Sequence, residues 1–235
     1  MYSLKYTDIG PSPCPAGYVN YAGNPSVPCA PCLGSGLYVP SGSYGSCDNY
    51  LCAANTTDND NNPTTPCAAC YPGSYVPQGS SGNCSSLLCL AGSTDDDVNP
   101  STPCVPCLPG NYTSAGSIGA CKLWACVGGT TDDDANASTP CIACGRGHYV
   151  SPGSIGLCTI YECAAGTTDD DYNAATPCVS LPPGYYSALG QAGPTVLFKC
   201  SPGTIDNDYN ASTPCLACPN TGDIFVPAGE LAENR

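Results

Sequence analysis

Large apolar residues are scarce in this chain of 235 residues: Leu, Ile, Val and Phe together make up about 15% of it, below the roughly 20% at which ordinary core building becomes doubtful. A single large hydrophobic core is thereby excluded, because ordering each residue costs roughly 1.5 kcal/mol and so little apolar area does not offset that. Positive charge is scarcer still. Lys5, Lys122, Arg146, Lys199 and Arg235 face 19 acidic residues, for a net charge of −14. With no basic stripe to displace counterions, nucleic acid is not an expected partner, and anionic membrane surfaces are disfavoured. No run of about 18 apolar residues occurs, so no membrane insertion is expected. Met1 to Ile9 holds Lys5 and Asp8 among polar residues and lacks an apolar h-region, so no signal peptide is visible there. Histidine and tryptophan each occur once, as His148 and Trp124. His148 fills a variable slot held elsewhere by Ser74, Asn111 and Tyr185, which supplies no base and no triad, and the chain is not expected to be an enzyme.

What is abundant is cysteine (21), glycine (27) and proline (25). The first cysteine of each C-x-x-C pair recurs at Cys67, Cys104, Cys141, Cys178 and Cys215, an unbroken period of 37 residues. The earlier step, Cys29 to Cys67, is one residue longer, and the extra residue falls between Cys32 and Cys47, which marks a surface loop. The unit reads T-D-D-D-x-N-x-S/T-T-P-C-x-x-C-x-P-G-x-Y-V-x-x-G-S-x-G-x-C-x-x-x-x-C-x-A-G. Periods of this length belong to supersecondary units that touch mainly their neighbours. The expected fold is small and disulfide-rich: an elongated tandem array of ~37-residue Cys-rich units with short β hairpins and irregular loops, essentially without helix. No stretch of ten residues escapes Gly, Pro or an Asn/Asp cluster. Strands are predicted around Tyr75-Val76, Tyr112 and Tyr149-Val150, before turns at Gly79, Gly116 and Gly153. Counted by cysteine period, the chain divides into an arm at 1–13 that is a candidate junction, an irregular first region at 14–66, repeats at 67–103, 104–140, 141–177 and 178–214, and an incomplete unit at 215–235, a second candidate junction.

The repeats act as an internal alignment for disulfide pairing. In the unit beginning at Cys178, Leu181 and Thr195 stand where the other units have cysteine. Loss of one partner strands a reactive thiol, so joint loss implies that these two positions are bonded to each other elsewhere. One class is then Cys32 to Cys47, Cys70 to Cys84, Cys107 to Cys121 and Cys144 to Cys158. By elimination the other is Cys14 to Cys29, Cys52 to Cys67, Cys89 to Cys104, Cys126 to Cys141, Cys163 to Cys178 and Cys200 to Cys215. A crossed scheme, in which Cys178 and Cys200 re-paired after the loss, is the alternative. Each local bridge closes about 15 residues and is worth roughly 3 kcal/mol. Cys218 is left over, unpaired or intermolecular. Its repeat partner would fall near Ala232, and the sequence from Pro219 to Arg235 contains no cysteine.

Dense cysteine points to an oxidising, extracellular or cell-surface location. Sequons at Asn55, Asn83, Asn111, Asn136 and Asn210 are candidate N-glycan acceptors, and Thr65, Thr102, Thr139, Thr176 and Thr213 sit in a Ser/Thr/Pro setting suited to O-glycans. Covalent glycans are therefore expected. The acidic loops alternate as D-x-D-x-N, with Asp58 and Asp60, Asp95 and Asp97, Asp132 and Asp134, Asp169 and Asp171, and Asp206 and Asp208. That spacing matches the first ligands of a calcium loop, although the glycine and bidentate glutamate of an EF-hand are missing. The ordinary alternative is a solvated turn whose carboxylates cap backbone amides. C-x-x-C followed by C-x-x-x-x-C, as in Cys67, Cys70, Cys84 and Cys89, also has zinc-like spacing. Redox chemistry at C-x-x-C lacks the required βαβ context. Tyr75, Tyr112, Tyr149 and Tyr186, with Tyr38 as the shifted equivalent, are expected to cover the adjacent disulfide and supply each unit's small core, or to serve as a stacking platform for a glycan.

The run Cys104-Val105-Pro106-Cys107-Leu108-Pro109-Gly110-Asn111-Tyr112 through Cys121 resembles the cysteine-rich repeats of ephrin-receptor-like and TNF-receptor-like ectodomains. It is also similar to protist surface proteins built from such tandem units, including ciliate surface antigens and algal extracellular fibrils. The likeness covers nearly all of residues 14 to 218, while the T-D-D-D-x-N segment departs from the receptor families. The expectation is a secreted structural glycoprotein, a stapled rod that polymerises head to tail with itself into a filament, fibril or coat. The rival is a receptor or adhesin ectodomain that binds a protein or glycan ligand.

Overall fold

Residues 13–218 and 226–231 are described by the structure, a computed structural model. The building block is a two-residue antiparallel hairpin. Each pairs the residues before the first aspartate of an acidic loop with the x-x of the following C-x-x-C: Ser93–Thr94 with Val105–Pro106, Thr130–Thr131 with Ile142–Ala143, Thr167–Thr168 with Val179–Ser180, and Thr204–Ile205 with Leu216–Ala217. Tyr18–Val19 pairs with Ala30–Pro31 in the same way, and Thr56–Asp58 pairs with Ala68–Ala69 and, in parallel, with Ser80–Ser81. Two-residue strands are not stable alone. Each hairpin is closed by a disulfide, Cys52–Cys67 for Thr56–Asp58 and its repeat equivalents for the others. The hairpins straddle the boundaries at 66/67, 103/104, 140/141 and 177/178 counted from the cysteine period, so the natural frame of the repeat starts at Cys14, Cys52, Cys89, Cys126, Cys163 and Cys200.

In four of the six repeats a second disulfide ties the end of the hairpin to a one-turn 3-10 helix: Cys32–Cys47, Cys70–Cys84, Cys107–Cys121 and Cys144–Cys158. All ten bridges have Cα–Cα separations of 5.4–5.8 Å and follow the local scheme. The short helices lie at Cys47–Tyr50, Cys84–Ser86, Cys121–Trp124, Cys158–Tyr161 and Thr195–Phe198. No α-helix occurs among the described residues.

The strands expected at the tyrosines lie elsewhere. Tyr75, Tyr112 and Tyr149 follow single bridge residues (Ser74, Asn111 and His148) and run on as irregular extended chain. The tyrosines are also not the core. Extended backbone sends successive side chains to opposite sides, and the residue after each tyrosine is the buried one: Val39, Val76, Thr113 and Val150 are fully buried, and Ser187 nearly so. The second interior position of the repeat is the strand residue Val19, Thr57, Thr94, Thr131 or Thr168. Each of these threonine hydroxyls donates to a glycine carbonyl 25 residues later, Thr131 to Gly156 at 2.8 Å for example, which satisfies a polar group that would otherwise be costly to bury.

The chain forms two compact units. The N-terminal unit comprises 1–106 and 114–120, and the C-terminal unit 107–113 and 121–235. Both are built of the same hairpin, turn and short helix. No helix among the described residues is long and apolar enough to cross a membrane.

Candidate functional site

The most repeated chemistry in the molecule is the acidic loop. Its two aspartates have different fates. The first of each loop, Asp58, Asp95, Asp132, Asp169 or Asp206, is buried. Its Oδ2 accepts the backbone N–H of a glycine 22 residues earlier: Gly36, Gly73, Gly110, Gly147 or Gly184, at 2.8–3.0 Å. Its Oδ1 accepts the N–H of the loop asparagine four residues later, at 2.9–3.3 Å. A carboxylate is removed from water at high cost unless its lone pairs are met, and here two backbone amides meet them. The group is thus a clamp that fastens one repeat's glycine turn to the next repeat's hairpin. The solvated-turn expectation is corrected at these five positions, because the first aspartate is turned inward onto these two backbone amides.

Glycine is required at the other jaw of the clamp. Gly147 has φ +79°, and a Cβ built on it would lie against the carbonyl of Gly190; Gly36, Gly73, Gly110 and Gly184 meet Gly79, Gly116, Gly153 and Gly229 in the same way. Any side chain would push the amide away from its carboxylate.

The second aspartate stays exposed and acts as a loop cap. Asp60, Asp97, Asp134, Asp171 and Asp208 accept the hydroxyls of Thr65, Thr102, Thr139, Thr176 and Thr213 at 2.8–2.9 Å. They also accept the N–H of the loop asparagine. The threonine hydroxyl holds the carboxyls of Asp60, Asp134, Asp171 and Asp208 below the usual range, against a smaller desolvation effect and with further help from the asparagine amide. All ten aspartates weighed as calcium ligands are therefore already engaged with the chain. No group of three or more His, Cys, Asp or Glu side chains able to hold a metal occurs among the described residues.

The thiols with zinc-like spacing are taken too: Cys67 is bonded to Cys52, Cys70 to Cys84 and Cys89 to Cys104. Cys218 is free and half-buried, its N–H donating to the Gly203 carbonyl. The position near Ala232 lies outside the described residues, as do most of the 1–13 arm and part of the 215–235 unit. His148 turns Nδ1 to the carbonyls of Gly145 and Arg146, at 3.0 and 2.9 Å.

The five sequons separate by environment. Asn83, Asn136 and Asn210 are exposed. In Asn136-Ala137-Ser138 and Asn210-Ala211-Ser212 the asparagine Oδ1 accepts both the N–H and the hydroxyl of the serine in a tight turn. Asn111 instead spends Nδ2 on the Leu108 carbonyl, and its sequon partner Thr113 is fully buried. Asn55 has φ +73° and a buried Oδ1. The hydroxyls of Thr65, Thr102, Thr139, Thr176 and Thr213 are the donors to the capping aspartates, so an O-glycan there would remove that bond.

Sequence reasoning missed the buried aspartates and the glycines they hold. The constant 22-residue offset from the turn glycine to the first Asp, kept in all five repeats, was the available signal. A scan of protein-family models and a search of curated proteins return no match to this chain.

Proposed function

We propose that the chain is an extracellular structural glycoprotein, a disulfide-stapled array that self-associates into a filament, fibril or surface coat of the protist or algal kind that its repeat resembles. The observation that carries this reading is the five-fold recurrence of one clamp whose carboxylates, threonines and thiols are consumed in holding the chain to itself. Such an array resists heat and proteolysis with little core, because cross-links replace burial. Ten disulfides fit an oxidising, secreted setting. The exposed sequons Asn83, Asn136 and Asn210 carry its N-glycans, and the remaining acidic surface keeps the assembly hydrated. Electron microscopy of native material should show filaments or sheets; dispersed monomers alone would overturn the reading.

The rival, a receptor or adhesin ectodomain, is favoured by one feature. An open groove of about 400 Å³ in the first repeat is lined by residues including Asn20, Val27, Ser43 and Tyr44. Binding of a glycan or peptide from an array, with Tyr44→Ala abolishing it, would move the assignment to that class.

A further inference from the structure

The groove of the first repeat is built from the same positions that, in every later repeat, seat a glycine turn. In the third repeat the turn at Gly73 gives its N–H to Asp95, meets the carbonyl of Gly116 and lies against Ile118. The turns at Gly110 and Gly184 lie in the same way against Ile155 and Leu231. Counted from its cysteines, the first repeat has Asn20, Gly42 and Tyr44 where the third has Asp95, Gly116 and Ile118. The backbone agrees. Gly42 donates to the Cys14 carbonyl as Gly116 does to Cys89, and Asn20 bridges Tyr44 in parallel as Asp95 bridges Ile118. Asn20, Gly42 and Tyr44 all line the groove of about 400 Å³. Among the described residues no glycine turn rests on them, and Tyr44 is 70% exposed against 41% for Ile118 and 43% for Ile155.

The first repeat departs from the others at the clamp itself. Asn20 is half-buried, its Nδ2 donates to the carbonyls of Asn24 and Val27 at 2.8 and 3.4 Å, and its Oδ1 accepts the N–H of Ala22 at 3.2 Å. A half-buried carboxylate without a turn on it would leave an oxygen unmet. The amide is satisfied by its own loop and still keeps an Oδ1 lone pair for an incoming N–H.

The chain also carries a turn segment that no described aspartate holds. Gly36, Gly73, Gly110, Gly147 and Gly184 are each clamped. The sixth C-x-x-C is followed by Gly222, four residues beyond Cys218 as Gly36 is four beyond Cys32. The repeat then resumes at Val226, whose carbonyl accepts the N–H of Gly203 as the Val39 carbonyl accepts that of Gly17. Of the repeat's turn glycines, Gly222 is therefore the one left to match the one seat without a turn.

We propose that the groove at Asn20, Gly42 and Tyr44 seats the Gly222 segment of a second copy, so that the sixth repeat of one copy docks on the first repeat of the next as consecutive repeats dock within the chain. The Gly222 N–H is given to Asn20 Oδ1, and a glycine is needed because the Gly42 carbonyl stands where a Cβ would go. The contact is heterologous, so each copy keeps one free groove or one free turn and assembly continues copy after copy. This rests on the self-association reading above and names its surfaces.

Sedimentation velocity over a concentration series tests it, using wild type, Tyr44→Ala, Gly222→Val and Asn20→Asp, each verified by mass to keep ten disulfides. Wild type should form growing oligomers. Tyr44→Ala and Gly222→Val should each weaken association at least about tenfold, and their equimolar mixture should recover a complex that stops at one of each. Asn20→Asp, which restores the carboxylate of the other repeats, should tighten association about tenfold, because a charged acceptor makes the stronger hydrogen bond. Oligomers unchanged in all three variants would overturn these surfaces while leaving the filament reading intact. Loss in Tyr44→Ala with none in Gly222→Val would overturn the occupant, since another segment would then fill the groove. Wild type that stays monomeric throughout would overturn both the proposal and the filament reading, and a glycan or peptide bound by that monomer and lost in Tyr44→Ala would give the groove to the rival class.

Discussion

Two neighbouring loops of the C-terminal unit have nearly the same backbone and different chemistry. In one, Cys144 and Cys158 are bridged across the glycine turn and the short helix that follows. In the next, Leu181 and Thr195 stand in their places, yet the helix Thr195–Phe198 forms as Cys158–Tyr161 does. Leu181 donates its N–H to Gly166 as Cys144 does to Gly129, both at 2.9 Å. Leu181 is buried, where Cys144 is only half-buried. Both loops keep the carboxylate clamp, Gly147 to Asp169 and Gly184 to Asp206. The difference teaches that the second disulfide of a repeat is a reinforcement, and that the buried carboxylate sets the path of the chain.

The largest effect expected from this comparison comes from removing the clamp. Asp206→Ala and Asp169→Ala should each lose about 3 kcal/mol, since the buried amide of Gly184 or Gly147 loses its charged acceptor, while Asn210 and Asn173 keep the second aspartate of their loops. Amide exchange should then separate them: 182–195 should open locally in Asp206→Ala, while 145–158, still tethered by its disulfide, should stay protected in Asp169→Ala. Equal protection of the two loops would remove the distinction between clamp and bridge.

Restoring the missing bridge is the converse. Leu181→Cys with Thr195→Cys should form a disulfide over a loop of the length closed by its neighbours and raise stability by roughly 2–3 kcal/mol, less the burial lost with Leu181. Thermal unfolding of the oxidised double variant against the parent measures it.

A smaller gain is expected at Thr113. Its side chain is fully buried and its Oγ1 has no partner, where the equivalent positions hold Val39, Val76 and Val150. Thr113→Val should stabilise by about 1 kcal/mol, because an unmet hydroxyl is replaced by a methyl of the same shape. Denaturant unfolding should show a higher midpoint at unchanged slope.

The mildest test is pH. The folded-state pKa values of Asp60, Asp134, Asp171 and Asp208 are depressed. Their contribution is therefore fully present above the unfolded carboxylate value of about 3.9 and is lost as pH falls through the lower folded values. Stability should be flat from neutral pH to about 5 and decline below 4; a decline already complete at pH 5 would contradict the capping role.

Much of this architecture is legible in the residues, for specific reasons. A fixed 37-residue period exposes the repeat, and the joint absence of cysteine at 181 and 195 marks two positions that face each other elsewhere. The strands were less legible. Tyr75, Tyr112 and Tyr149 have high β propensity, but propensity reports a half-buried pleated surface and not which residues pair. The threonine pairs that do pair, such as Thr130-Thr131, are short and flanked by glycine and aspartate. The split between Asp132, buried, and Asp134, exposed, is invisible in D-x-D-x-N because the deciding partner, Gly110, lies 22 residues away. The one-turn helices escaped because a single 3-10 turn has no periodicity to read.

The central claim is that oxidised sulfur and buried carboxylates hold this chain where apolar packing is too sparse. Circular dichroism melting of the intact protein before and after full reduction and thiol blocking tests it most directly. The account predicts a cooperative transition at high temperature for the oxidised protein and none for the reduced protein, already unfolded at 25 °C; a reduced protein that melts at the same temperature as the oxidised one would contradict it.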